Sequence, residues 1–336
     1  MPERNTMKKI QELQQVKGDA YDYYIAGNED TDLFEKIFLV DDIVEEICKP
    51  DKYFLIGEKG SGKTAYSVYM SKSDKINSFC SISLVENTLY QRFLNMKRQK
   101  ALELSSFKDV WINLIYLILA EKIRKEYGET FFSSIKYKQL SKAIDVFYSD
   151  AFKPEFVNAF EFVDNASASI NSMMKQGLFS TGTKASAETS QKYVEQSFQI
   201  SLLKIRDGFE KAFMSVNLKK PTILFVDGID ARPRDIDNEQ YFECLVGLVN
   251  AVLEMNQSFL KEKQIKIMLL IRPDIMYKMP VHNMNQKLRN NSVLLNWVTS
   301  YRKYIDSKLF KIADDYFMKQ QDYSYELGEC WNYYFP

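Results

Sequence analysis

Histidine is almost absent from this chain, with His282 the only one. A multi-histidine metal centre is thereby excluded, and Ser-His-Asp chemistry with it, because His282 reads as a loop residue rather than a base. Cysteine is sparse as well. Cys48, Cys80, Cys244 and Cys330 stand far apart without paired spacing, which argues against a zinc site or a disulfide framework and fits a reducing compartment. Net charge is also missing, since 45 basic residues meet 45 acidic ones. No global basic field advertises nucleic acid, although a neutral total leaves room for a local basic groove. The longest apolar stretch, Val110 to Ala120, is interrupted by Asn113 and is about half of the roughly 20 residues a membrane span needs. The first residues lead into a polar, lysine-bearing segment without the apolar core of a signal peptide. The expectation is a soluble, cytoplasmic protein with no membrane partner.

What the chain does contain is enough apolar material for a large core: 336 residues, 46% hydrophobic and 14% aromatic. Residues 1–30 read as a polar helix followed by a loop. Leu33, Ile37, Val40, Val44 and Ile47 recur three and four apart, which predicts one helix from Thr31 to Cys48, ended by Lys49-Pro50-Asp51. Short apolar runs of the buried-strand type follow at Tyr53 to Ile56, Ser78 to Leu84, Thr222 to Val226, Ile265 to Ile271 and Val293 to Leu295. Helical patterns separate them. One of these carries Val194, Phe198, Leu202, Ile205, Phe209 and Phe213, and another Leu245, Leu248, Val249 and Val252. Between Asn165 and Gln191 the composition turns to Ser, Ala, Thr and Gly, as in a mobile loop, a small hairpin or a linker. Strands alternating with helices predict an α/β fold with a parallel sheet covered on both faces.

The sharpest signal is Gly57-Glu58-Lys59-Gly60-Ser61-Gly62-Lys63-Thr64, a complete G-x-x-x-x-G-K-[ST] match between a strand and a helix. Glycines let successive backbone N–H groups point at phosphate oxygens, and the helix N-terminus adds its positive end. In this pattern Lys63 reaches the β- and γ-phosphates and the Thr64 hydroxyl ligates magnesium. Such a loop needs a carboxylate at the end of a neighbouring strand. Ile223-Leu224-Phe225-Val226-Asp227 supplies one, and Asp227 is assigned to the magnesium side. Asp230 would orient or deprotonate the attacking water, or else cap a helix or pair with Arg232 or Arg234. The strand ending at Ile271 is followed by Arg272, which would detect the γ-phosphate or else pair with Asp274 or Asp227. Arg289 and Arg302 are candidates to act on a neighbouring subunit, with nothing to separate them from surface arginines.

These residues together resemble the STAND and KAP-type nucleoside triphosphatases of the wider AAA+-related division. The Asp227-Gly228-Ile229-Asp230 form is similar to the acidic motif of the NACHT and KAP groups. The layout resembles bacterial P-loop ATPases often encoded in phage-defence regions, in the helix before the loop, the long helical insertion and the Arg272-Pro273-Asp274-Ile275 element. The resemblance implies a five-stranded sheet in the order 5-1-4-3-2, with ATP and magnesium as cofactors. It also implies an ATPase core at 31–320, a helical insertion at 85–216, an N-terminal extension at 1–30 and a C-terminal segment at 321–336. A homo-oligomer or a partner protein is the implied assembly. Two departures stand out. Ala231 occupies a position where NACHT proteins often carry glutamate, and Gly228 one where AAA+ proteins usually do. The expectation is a slow, switch-like ATPase controlling assembly or partner activation, with a role in anti-phage defence implied by the resemblance alone.

Two other readings stand beside it. A DNA-associated loader would need a basic surface, for which Lys97-Arg98-Gln99-Lys100 and Lys122 to Lys125 are the candidates, although such runs are usually solvated helix faces. A phosphotransferase would need an acceptor pocket, and the insertion and Arg272 favour water instead. Trp331-Asn332-Tyr333-Tyr334-Phe335-Pro336 is an aromatic end that either packs back onto the core or is continued in a longer protein.

Overall fold

The computed structural model describes residues 7–25, 28–85, 107–132, 137–150, 202–229, 237–279, 288, 290–297 and 303–336. Five apolar runs build one sheet from β1 (Phe54–Gly57), β2 (Phe79–Leu84), β3 (Thr222–Asp227), β4 (Ile265–Ile271) and β5 (Ser292–Leu295). All pairings are parallel and the order is β2-β3-β4-β1-β5, which is 5-1-4-3-2 counted from the other edge. Every residue of β1, β3 and β4 is buried. A strand covered on both faces has no solvent side, so these runs are apolar throughout instead of alternating.

Alternate residues feed two separate cores. Phe54 and Ile56, Leu224 and Val226, and Ile267 and Leu269 point into the larger one. Leu55, Ile223, Phe225, Met268 and Leu270 point into the other. The smaller core is closed by α1 (Ala20–Ile25), α2 (Asn28–Ile37), α3 (Asp42–Cys48) and α4 (Lys63–Lys72). The larger is closed by α5 (Phe107–Phe132), α6 (Lys138–Asp150), α7 at 202–215, α8 (Asn238–Asn256) and the short α9 (Pro273–Lys278). Thus the helices between β2 and β3 share the core of the sheet. Trp111 of α5 is buried and its indole N–H donates to the Cys244 carbonyl of α8 at 3.0 Å. Tyr116, Phe147, Phe209 and Phe213 stack where α5, α6 and α7 meet. The apolar stretch from Val110 to Ala120 is therefore a core helix, and among the described residues no helix is long and apolar enough to cross a membrane.

One polar side chain completes the sheet. β1 pairs with β4 only from Leu269 onward, so Ile267 has no partner strand on that side. Asn256 fills the gap, accepting from Ile267 N–H at 2.9 Å and donating to its carbonyl at 2.8 Å. Buried backbone groups require such partners.

Three expectations change. The helix expected at Thr31 to Cys48 is two helices, α2 and α3, separated by residues 38–41, and Asp41 caps the second, accepting from Ile43 N–H at 3.2 Å. Val40, counted on the buried face, is consequently 55% exposed. The N-terminal polar helix is replaced by a 3₁₀ turn at Ile10–Glu12 and by α1. Buried Leu13 holds this segment against α10 (Lys308–Met318) and α11 (Glu329–Tyr334), in a small core with Phe317 and Cys330. The aromatic end folds back onto that core, with Trp331 and Tyr334 against Phe317. Buried Asp314 fixes the turn by accepting from Gly328 N–H at 2.7 Å and Trp331 N–H at 2.9 Å. The stretch from Asn165 to Gln191, together with Val194, Phe198, His282 and the run Lys97 to Lys100, lies outside the described residues.

Candidate phosphate-loop site

Parallel strands bring all their C-terminal ends to one edge of the sheet, and the turns leaving β1 and β3 meet there. The turn after β1 runs from Gly57 to Gly62, and α4 begins at Lys63. Gly60 and Gly62 adopt φ of +81° and +87°, a region that costs other L-residues about 1–2 kcal/mol. At Gly57 the constraint is space, since a Cβ would lie 2.2 Å from Ser61 Oγ and 3.0 Å from Leu295 Cβ.

Lys63 is buried, 8% exposed, and curls back to donate to the Gly57 carbonyl at 2.8 Å and the Glu58 carbonyl at 3.2 Å. Thr64, at the start of α4, donates its hydroxyl to Asp227 Oδ2 at 2.6 Å. This bond reaches across β4, which lies between β1 and β3. The other Asp227 oxygen accepts from Gly228 N–H at 2.7 Å. Burial raises the Asp227 carboxyl above its ordinary range, against the opposing pull of Thr64, Gly228 and Lys63. Ser61 Oγ is buried with no hydrogen-bond partner, a cost that a ligand in the loop would relieve.

Gly228 is held at φ +84°, and a Cβ there would lie 3.0 Å from the Val85 carbonyl oxygen. The next residue is tied down from α8, where Tyr241 donates its hydroxyl to the Ile229 carbonyl at 2.6 Å. Arg272 follows β4, one residue beyond Ile271, which stands opposite Ile56 of β1. Its guanidinium makes a two-pronged pair with Asp274, at 3.0 Å from Nε and 2.8 Å from Nη2. Asp230, Arg232, Arg234, Arg289 and Arg302 lie outside the described residues. Of the sequence-derived residues, then, Lys63, Thr64 and Asp227 converge. Arg272 stands at the neighbouring strand end, engaged with Asp274.

Beside the loop lies a cavity of about 600 Å³ that the sequence did not announce. Glu58 to Gly62 form one wall, and Tyr23, Phe34, Phe38 and Tyr66 form an aromatic one. These rings brace each other, with Tyr23 on Phe34 at 4.8 Å and Phe38 edge-on to Tyr66 at 5.1 Å. Leu309 and Ile312 of α10 close another side. Trp297, just past β5, also lines the cavity and donates its indole N–H to the Ser61 carbonyl at 2.7 Å, fastening the loop to the sheet edge. Asp41 ties these parts together, accepting from the Tyr66 hydroxyl at 2.9 Å and from Lys308 Nζ at 2.6 Å. Apart from Glu58 to Gly62, none of these residues belongs to a local pattern, so only their spatial convergence reveals them.

Compared with protein-family models, curated proteins and solved structures, the chain matches none of them.

Proposed function

We propose that this protein binds and slowly hydrolyses ATP with magnesium, and that the bound nucleotide acts as a switch on assembly or partner binding. The observation that carries this reading is the Thr64–Asp227 hydrogen bond of 2.6 Å, with Lys63 folded into the same glycine turn. A hydroxyl and a carboxylate held together at a helix N-terminus fit a hard divalent cation whose other ligands are phosphate and water. Bound there by Thr64 and Asp227, magnesium would neutralise charge on the β- and γ-phosphates.

The remaining roles fall to the chain itself. Backbone N–H groups of the turn and of α4 receive the phosphate oxygens. Lys63 exchanges its carbonyl partners for the terminal phosphates. The purine enters the aromatic cavity, where Glu58 of the loop is the only carboxylate among the described lining residues. The cavity's apolar, aromatic walls give a planar base a slot. Arg272, released from Asp274, reaches the γ-phosphate. In that arrangement Asp274 stores the guanidinium until a more highly charged partner arrives. Hydrolysis is slow because Gly228 offers no side chain to activate water.

The test is nucleotide binding followed by a fluorescent ATP analogue, beside phosphate release. Lys63→Ala and Thr64→Ala are expected to weaken magnesium-dependent binding at least tenfold and to bring phosphate release to background. Unchanged binding in both variants would remove the proposal.

A further inference from the structure

A second concave site lies at the opposite end of the sheet, where β2 and β3 begin at Phe79 and Thr222. Its walls come from the C-terminal end of α4, the C-terminal part of α5, and the chain entering β3, and its volume is about 850 Å³. Lys72, Lys122, Lys125, Lys219 and Lys220 line it, against two acids, Asp74 and Glu126. In a chain with no net charge, this is a concentrated local excess of positive charge. It also gives a place in the fold to Lys122 and Lys125, whose run is a candidate basic surface in the sequence beside the commoner reading as a solvated helix face.

Aromatic rings are interleaved with these cations. Lys72 of α4 and Lys122 of α5 each hold Nζ 5.9 Å from the centroid of the Tyr24 ring, so two elements aim ammonium groups at one aromatic ring. Tyr24 is itself fixed, its hydroxyl accepting from Ile82 N–H of the edge strand at 3.3 Å. Tyr21 and Tyr127 add two further rings to the lining. An independent observation comes from Ser81 of β2, which lines the same groove. It is only 3% exposed, and its hydroxyl has no hydrogen-bond partner. A buried hydroxyl without a partner is unfavourable, and a ligand bound here would satisfy it.

We propose that this groove binds single-stranded nucleic acid, with the lysines on backbone phosphates and the tyrosine rings as stacking platforms for bases. Cations interleaved with aromatic rings in a groove are the arrangement that single strands use, because their bases expose ring faces that a duplex hides. The site is separate from the glycine turn and does not depend on the nucleotide reading made above.

The experiment is fluorescence anisotropy of a labelled oligothymidylate of about 12 nucleotides, within the site sizes typical of such proteins. The full chain is titrated at low salt without nucleoside triphosphate. The double variant K125E/K220E reverses two exposed lysines and should bind at least tenfold more weakly. Its dependence of log affinity on log salt should flatten by about 1.4, two phosphate contacts at about 0.7 each. Lys63→Ala should bind the strand as the natural chain does, which separates failure of this site from failure of the phosphate loop. Lys122→Gln, which removes charge without reversing it, provides a second and milder variant and should weaken binding in the same direction. Absence of saturable binding, equal affinity in K125E/K220E, preference for a blunt duplex, or competition by inorganic phosphate or mononucleotide at equal phosphate concentration would each overturn the proposal.

Discussion

Gly228 decides more about the chemistry than its size suggests. With φ at +84° and the Val85 carbonyl 3.0 Å from where a Cβ would stand, the position accepts no side chain without strain. A glutamate here, as the AAA+ pattern would have it, takes a strained φ and pushes on the Val85 backbone just past β2. Gly228→Glu is therefore expected to lower stability by about 1–3 kcal/mol and to leave phosphate release no faster. A thermal melt and a release assay check both, and a stable, faster variant would contradict the steric argument. Lys266 is the other residue whose surroundings set a measurable property. Its ammonium donates to the Ile47 and Lys49 carbonyls at the end of α3 and is 7% exposed. Burial lowers its pKa to about 8 from 10.5, with Cys48, Cys80 and Asp51 as its charged or titratable neighbours. Between those two values the unfolded chain holds a proton that the folded chain has released, so stability rises with pH across that window. Relative to Lys266→Met, the natural chain should gain up to about 3 kcal/mol between pH 8 and 10.5. Parallel pH–stability curves would show that Lys266 does not titrate in this range.

At the scale of elements, Asp41 is where separate pieces are held in register. It caps α3, accepts from Tyr66 of α4 and takes the ammonium of Lys308 from α10. Asp41→Ala should cost about 1–3 kcal/mol, the sum of a lost cap and the buried Tyr66 hydroxyl left without its acceptor. Amide exchange over residues 308–318 should quicken, and nucleotide affinity should fall because Leu309 and Ile312 line the cavity. Unaltered exchange there would show that α10 is held by its apolar contacts alone. The same residue accounts for the sequence reading that failed. Apolar spacing runs through Val40 and into α3, so periodicity indicates one helix. The break at Asp41 becomes visible only when its carboxylate is seen bonding to Ile43, Tyr66 and Lys308. The positions of β1, β3 and β4 were readable because an all-buried strand leaves a continuous apolar run that needs no knowledge of its neighbours.

For the whole molecule, the expected consequence of nucleotide binding is a change in assembly. Sizing with ATP, with ADP and without nucleotide, beside Lys63→Ala, should show a larger species with ATP that the variant does not form. Identical profiles throughout would leave a scaffold with a bound nucleotide and no switch. The helices between β2 and β3 share one core with the sheet, so movement of the loop has a packed route to their outer surface. α4 provides a second route, since it begins at the glycine turn with Lys63 and ends with Lys72 in the basic groove.

Local chemistry was enough to specify the glycine turn, the apolar strands and the acid that ends β3. Each depends on a requirement written into consecutive residues: backbone freedom for the turn, two-sided burial for the strands, a strand end for Asp227. Folding alone determined what those parts face. The Trp297 clamp on Ser61, the aromatic cavity and the lysines gathered around Tyr24 all join residues far apart in the chain. Their energies come from packing and desolvation, which arise only when the sheet and its helices close.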